Sequence, residues 1–390
     1  MGSIIAETLR PAPYGPAVSL SAPYPENTEF PVSLAPTEPG AVNIAQLVAE
    51  IERISASGKL RDLLDTHGGI YFQNLGLQSA EEFSRFAHAF GWTPHEDIGN
   101  PVRRIIHAKN VATANEGPNT QPVYPHNEFG LSPHYPAYVL FYCASAPNTG
   151  GETPINNSVV LYRRLKEKRP EFIDQLEKKV GQHLSLFLVA ASSDPIVQGV
   201  KYQLFYPNTA RDQTSSAGTS VLQAYGRTVL EEDDTETARS KIETEIQRLP
   251  TARWVWEKQS ETNPLGDLRV WQVLPVEAVR DHPRTGDTAF FNNVISRFLN
   301  SLDAGTLQPP HVNRDGKYQP PAFYGDGSLI PREYLDTAVE IIKDTRALVS
   351  WKQGDVLLLD NHAVQHGREP WTGTRKLLAS LWDEAGGQTA

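Results

Sequence analysis

The chain of 390 residues has a single cysteine, Cys143. No intrachain disulfide is possible, and neither a four-cysteine zinc site nor a CxxC redox motif can be built. Cys143 ends the apolar run Tyr138-Val139-Leu140-Phe141-Tyr142-Cys143 and reads as a small buried hydrophobe. A basic excess is also missing. The formal net charge is -10, which repels phosphate backbones and argues against nucleic acid as a partner. No window approaches the ~20 consecutive apolar residues of a membrane span. The N-terminus, Met-Gly-Ser-Ile-Ile-Ala, has no basic region followed by a long apolar stretch, so no secretory signal is expected and a cytoplasmic location is the default.

What is present is a hydrophobic fraction of 39%, ample for a large core. Residues 1–40 carry Pro11, Pro13, Pro16, Pro23, Pro25, Pro31, Pro36 and Pro39 and read as an extended arm. Residues 41–390 read as one domain. Ile44, Leu47, Val48, Ile51 and Ile54 have helical spacing, and Ser79-Ala80-Glu81-Glu82 opens a helix with the flavour of a capping box. A helix is expected from Leu161 to Val180, broken near Pro170, and another from Tyr334 to Lys343. Gly69–Phe72, Tyr138–Cys143, Arg269–Leu274, Ala289–Phe291, Ala347–Ser350, Val356–Leu359 and Leu377–Leu381 read as strands. The polar stretch from about Ser192 to Asp234 reads as an insertion or lid. Many short strands with a few helices suggest a mainly β fold with helical cover, a sandwich or jelly roll.

Two segments hold metal-ligand chemistry. In Tyr124-Pro125-His126-Asn127-Glu128-Phe129, positions i and i+2 of a strand share a face, so His126 and Glu128 can reach one ion. The strand Leu357-Leu358-Leu359 leads into Asp360-Asn361-His362-Ala363-Val364-Gln365-His366, which can deliver His366 to the same point. Two imidazoles and one carboxylate on one face of an octahedron leave three positions open, the mark of non-haem iron(II) oxygenases. Among eleven histidines a His-x-Glu pair is a weak signal by itself.

The surrounding text is more specific. Ala114-Asn115-Glu116, His126-Asn127-Glu128, Phe141-Tyr142-Cys143 and Gly150-Gly151-Glu152-Thr153-Pro154 follow in order. Phe290-Phe291-Asn292 and Phe323-Tyr324-Gly325-Asp326-Gly327 come next, then Trp351-Lys352-Gln353-Gly354-Asp355-Val356, Asp360-Asn361 with Val364 and His366, and Gly373-Thr374-Arg375-Lys376. Over about residues 65 to 385 this resembles the TauD-like family of taurine dioxygenase and clavaminate synthase, most of all the clavaminate-synthase-like branch of plants and fungi. The resemblance implies a double-stranded β-helix core. It implies Fe(II) held by His126, Glu128 and His366, with 2-oxoglutarate and O2 as cosubstrates. It implies that Thr153 and Arg375 hold 2-oxoglutarate, and a guanidinium fork suits that carboxylate.

Within that pattern His366, not His362, occupies the ligand position, and His134 reads as a loop residue. Asn127, Phe129 and Arg368 are candidate substrate contacts. Position 379, where taurine- and clavaminate-type enzymes often carry a substrate-binding arginine, is Ala379, which weakens a sulfonate substrate. The expected substrate is a small molecule, an amino acid or related small acid of specialised metabolism, that is hydroxylated, desaturated or cyclised. Two rivals stand beside this reading, a non-catalytic metal-binding jelly-roll sensor and a cupin-type oxygenase or isomerase that does not use 2-oxoglutarate. The pairing of Arg375 with Thr153 favours the oxygenase.

Overall fold

The computed structural model describes residues 8–38, 43–99, 104–114, 117–177, 200–206, 208, 220–249, 252–274, 279–316, 318–324 and 328–385. Along the strand Tyr138–Ser145, successive side chains leave opposite faces of the sheet. The core divides accordingly. Val139, Phe141 and Cys143 enter one apolar cluster, and Leu140 and Tyr142 another. The flanking strands Val356–Asp360 and Lys376–Asp383 repeat the division. Leu357, Leu359, Leu377, Ala379 and Leu381 lie on the first side, and Val356, Leu358, Leu378 and Trp382 on the second. Strands buried on both faces need no polar alternation, hence their unbroken apolar text.

These three strands are the centre of a large sheet. Its order is Leu9–Pro11, Val32–Pro36, Gly69–Phe72, Val356–Asp360, Tyr138–Ser145, Lys376–Asp383, Val111–Thr113 and Ile106–Ala108, with Thr93–Pro94 also paired to Lys376–Asp383. Every pairing is antiparallel except that of Val32–Pro36 with Gly69–Phe72. The proline-rich segment is therefore stitched into the sheet by backbone hydrogen bonds over part of its length.

The helices Ile44–Ala56, Lys59–His67 and Ala80–His88 cover the outer face, burying Leu47, Ile51, Leu60, Leu64, Phe83 and Phe86. Asn43 and Gln46 close a reciprocal capping box on the first of them. The Ser79 hydroxyl accepts from the Glu82 N–H, as expected, but the Glu82 carboxylate accepts from the Gln78 N–H and leaves the box at Ser79 open.

The inner face packs on a second sheet, ordered Ala347–Val349, Thr153–Asn157, Val364–Arg368, Val123–His126. Ile155, Val349 and Val364 from this sheet share a core with Val139, Phe141, Leu357 and Leu377 from the large one. Each such buried side chain contributes about 1.5–3 kcal/mol. The helices Ser158–Lys168, Pro170–Glu177, Val294–Asp303 and Arg332–Thr345 form a further cluster around Leu161, Phe172, Phe290 and Ile341.

A separate antiparallel sheet of Arg253–Glu257, Asp267–Leu274, Val200–Tyr206 and Phe323–Tyr324 carries its own core with the helices Val221–Tyr225 and Thr235–Gln247. The expected insertion at 192–234 falls partly here. Residues 192–199, 207 and 209–219 lie outside the described residues, whereas Val200–Tyr206 and Val221–Tyr225 are regular elements of this unit. With nine helices among the described residues, the architecture is mixed α/β, richer in helix than the few covering elements expected. Among the described residues no helix is long and apolar enough to cross a membrane.

Candidate active site

The second sheet brings the expected ligands together. His126 ends the strand Val123–His126 and lies directly opposite His366 of Val364–Arg368. Residues opposite one another in a ladder point to the same face. The two imidazole rings are therefore neighbours, 4.4 Å between centroids. Glu128 follows two residues after His126 and reaches the same point. Its Oε2 lies 3.9 Å from His126 Nε2 and 3.4 Å from His366 Nε2. One donor atom from each of the three falls within 4.8 Å of the others.

The surroundings set the state of these donors. The His126 Nδ1–H donates to the Tyr124 carbonyl at 2.8 Å, which leaves the Nε2 lone pair facing the site. Burial, and next the facing His366 ring, push the His126 imidazole down to about 4, so it is neutral near pH 7. Burial alone would raise the Glu128 carboxyl. The Arg104 guanidinium, followed by the two imidazoles, outweighs it and holds the group well below the usual carboxylate range. One imidazole nitrogen from each histidine and one ionised carboxylate oxygen are a donor set that fits a divalent iron.

The backbone around Glu128 is held by Asn361, whose Oδ1 accepts from the Glu128 N–H while its Nδ2–H donates to the Glu128 carbonyl and to that of Pro136. Asn127 is a correction to the expected substrate contacts. Lying between His126 and Glu128, it points the other way, into the protein. It is fully buried, with Nδ2 donating to the Asn361 and Val364 carbonyls and Oδ1 accepting from Asn292 N–H and Gln365 Nε2–H. Its hydrogen-bonding capacity is spent on holding the loop. Phe129 has a positive φ of 55°, the turn that follows Glu128, and packs on the inner core and on His95.

Thr153 lies two residues before Ile155, which is itself opposite His366, so the three side chains share a sheet face. Arg375 lies two before Leu377, on the inward side of the large sheet. Both are buried, and they meet, with Arg375 Nη2 at 3.5 Å from Thr153 Oγ1. Arg375 Nε–H also donates to the Gly151 carbonyl at 2.9 Å, and its guanidinium stacks 5.6 Å from the Trp371 ring centroid. Gly151 has φ +71°, and a Cβ there would come within 2.9 Å of Arg375 Cδ, so glycine makes room for the arginine. Trp351 Nε1–H donates to Thr153 Oγ1 at 2.9 Å. That fills one lone pair and leaves the hydroxyl proton available to a ligand.

Arg368 donates from Nη2 to the carbonyls of Pro118 and Gln121 and lies over the Trp371 ring, 4.5 Å from its centroid. It thereby anchors the loop before the His126 strand. His134 is half-buried, its Nε2–H donating to the Glu96 carbonyl, and its ring stacks on His95. His362 packs among Tyr135, His282 and Phe291, apart from the triad. A second group of potential ligands, Asp65, His282 and Asp360, is internally committed. His282 Nδ1 accepts from the Arg284 and Thr285 N–H groups and its Nε2–H donates to Asp360, while Arg284 pairs with Asp65. Two contributors were not visible in the sequence. Arg104 has no local motif that ties it to a residue 24 positions away, and Trp351 is a motif residue whose hydrogen bond only the fold reveals.

Residues 34–382 match the family model described as taurine catabolism dioxygenase TauD, TfdA family. The chain is 26% identical over 322 residues to a clavaminate synthase-like protein of Arabidopsis thaliana, covering 83% of each chain. It is 22% identical over 336 residues to the dapdiamide synthesis protein DdaC of Enterobacter agglomerans, covering 86% of this chain and 88% of that one. A solved structure of AAD-2 in complex with Mn(II) and N-oxalylglycine is similar at a TM-score of 0.42 and 12% identity, over 96% of this chain and 98% of the other. The chain belongs to the taurine catabolism dioxygenase TauD, TfdA family and is a 2-oxoglutarate-dependent dioxygenase that uses Fe(II) and O2.

Proposed function

We propose that His126, Glu128 and His366 hold the Fe(II), that Arg375 and Thr153 hold 2-oxoglutarate, and that the enzyme oxidises a C–H bond of a small amino acid or related acid. The observation that carries this reading is that the triad and the buried Arg375–Thr153 pair both face the core between the two sheets. Two facing sheets of this kind support a double-stranded β-helix. When bound, Fe(II) with 2-oxoglutarate and O2 supplies the oxidising power that breaks a C–H bond, while the oxo acid leaves as succinate and carbon dioxide.

The chain's own part is positioning. His126, Glu128 and His366 would hold the ion with one donor atom each. The Arg375 guanidinium would meet the far carboxylate of 2-oxoglutarate, and Thr153, whose Oγ1 accepts from Trp351 Nε1–H, would add its hydroxyl. Phe141, whose ring lies 4.9 Å from that of His366, and Ile155 line the interior with apolar surface and keep water from the reacting centre. Ala379, buried where a substrate arginine often sits in relatives, supports a substrate other than a sulfonate.

The test is succinate release by Fe(II)-loaded protein under air with 2-oxoglutarate and a panel of free amino acids and small carboxylic acids. One compound stimulating release, and itself oxidised in step with it, is the expected result. Stimulation by sulfonates alone would overturn the substrate class.

A further inference from the structure

Arg104 keeps the Glu128 carboxyl ionised, and it has a second capacity that this contact leaves unused. Its Nη2 donates to Glu128 Oε1, whereas the oxygen nearer both imidazoles is Oε2. Different atoms of one carboxylate thus face the arginine and the ion. The Arg104 Nε–H is buried and has no acceptor among the described residues. A guanidinium N–H shut away from water without an acceptor is costly, and such groups normally mark a missing partner. The next two residues, Ile105 and Ile106, are 51% and 71% exposed, so Arg104 stands where the site meets solvent.

Charge points to the nature of that partner. Consider the ion, its ligands, the cosubstrate and the arginines that touch them. Fe(II) brings two positive charges, and Arg375 and Arg104 one each. Glu128 brings one negative charge and 2-oxoglutarate two. One positive charge is left over, and a desolvated surplus charge is unfavourable until it is paired. A singly charged anion balances it, whereas a phosphate dianion overshoots. In a guanidinium the Nε–H and one Nη2–H share an edge, a fork that fits both oxygens of a carboxylate.

We propose that Arg104 is the substrate-recognising residue of this enzyme and holds a carboxylate of the substrate beside Glu128. The proposal rests on the Fe(II)/2-oxoglutarate reading and names what that site selects, small acids over their neutral counterparts. Ile105 and Ile106 then offer apolar surface to the remainder of the molecule.

The experiment uses the full chain loaded with Mn(II) and N-oxalylglycine, which fills the ion and cosubstrate positions. Propionate and propionamide are the probes, and the paramagnetic relaxation of their methyl protons reports binding close to the ion. In the wild type, relaxation of propionate should exceed that of propionamide at least about 10-fold, the discrimination expected of one charge-assisted pair. Arg104→Met should bring propionate down to the propionamide level. Arg104→Lys should fall between, and it serves as the test should the methionine variant not fold. Preference for propionate retained in both variants, or absent from the wild type, would overturn the proposal. Failure of N-oxalylglycine to join the Mn(II)-loaded wild type, seen before any propionate is added, would overturn the cosubstrate reading and this proposal with it.

Discussion

Asn361 grips both ends of the Glu128 residue, accepting from its N–H at 2.7 Å and donating to its carbonyl at 2.9 Å, across 233 positions of chain. Glu128, the proposed carboxylate ligand, sits on a loop, and this clamp converts the loop into a fixed mount. Asn361→Ala strips partners from three buried backbone groups, each costing about 1–3 kcal/mol when left unsatisfied. Thermal denaturation should show a loss of several degrees, and metal titration a weaker site. Asn361→Asp should also weaken both, because an acceptor replaces the Nδ2–H groups that serve the Glu128 and Pro136 carbonyls.

His126→Ala, Glu128→Ala and His366→Ala should each lower Fe(II) stoichiometry and remove turnover. His362→Ala should keep the metal and most turnover, since its ring packs with Tyr135 and Phe291 outside the triad. Metal analysis after gel filtration, alongside succinate assays, checks all four. Metal lost on His362→Ala but kept on His366→Ala would reverse the assignment.

Arg375→Ala should raise the 2-oxoglutarate KM about 10-fold or more, one charge-assisted bond being worth roughly 1.5–3 kcal/mol and a decade about 1.4 kcal/mol. Arg375→Lys should recover only part, because an ammonium cannot match both carboxylate oxygens. Iron content should stay near the wild-type level. Separate titrations of 2-oxoglutarate and substrate check this, and a change in the substrate constant alone would move the role to Arg368, which stacks on the same tryptophan.

Asp360 gives a pH-dependent term in stability. Burial alone would raise its carboxyl, but His282 first, then the His362 N–H, outweigh this and lower it below its ordinary value. A lowered carboxyl stabilises the fold above the unfolded-state value of about 3.9, and the gain is lost as pH falls through the lower folded-state value. The penalty of Asp360→Asn should therefore be full near pH 7 and shrink below about pH 4. Urea melts of both proteins across that range measure it.

Much of the site was legible because chemistry fixes residue types and strand geometry fixes their spacing. His126 and His366 share a face through a ladder pairing, and Glu128, two residues on in the turn beyond the strand, reaches the same point. A polar side chain between two proposed ligands invites a substrate role, but Asn127 turns into the core. Arg104 was beyond reach because its tie to Glu128 is tertiary, with nothing local to mark it. The prolines of the N-terminal segment signal extended chain, yet whether it pairs with a sheet depends on an edge elsewhere, here Gly69–Phe72. Helix was underestimated over Thr235–Gln247, whose buried positions are only Ala238, Ile242 and Ile246 in otherwise polar text.

The most direct measurement is anaerobic Fe(II) and 2-oxoglutarate loading of the wild-type chain, followed by admission of O2 and quantitation of succinate and carbon dioxide. Equal amounts of the two, dependent on Fe(II) and O2 and absent from His366→Ala, is the expected result. A wild-type chain that binds Fe(II) through His126, Glu128 and His366 yet leaves 2-oxoglutarate intact, with every candidate acid present, would contradict it.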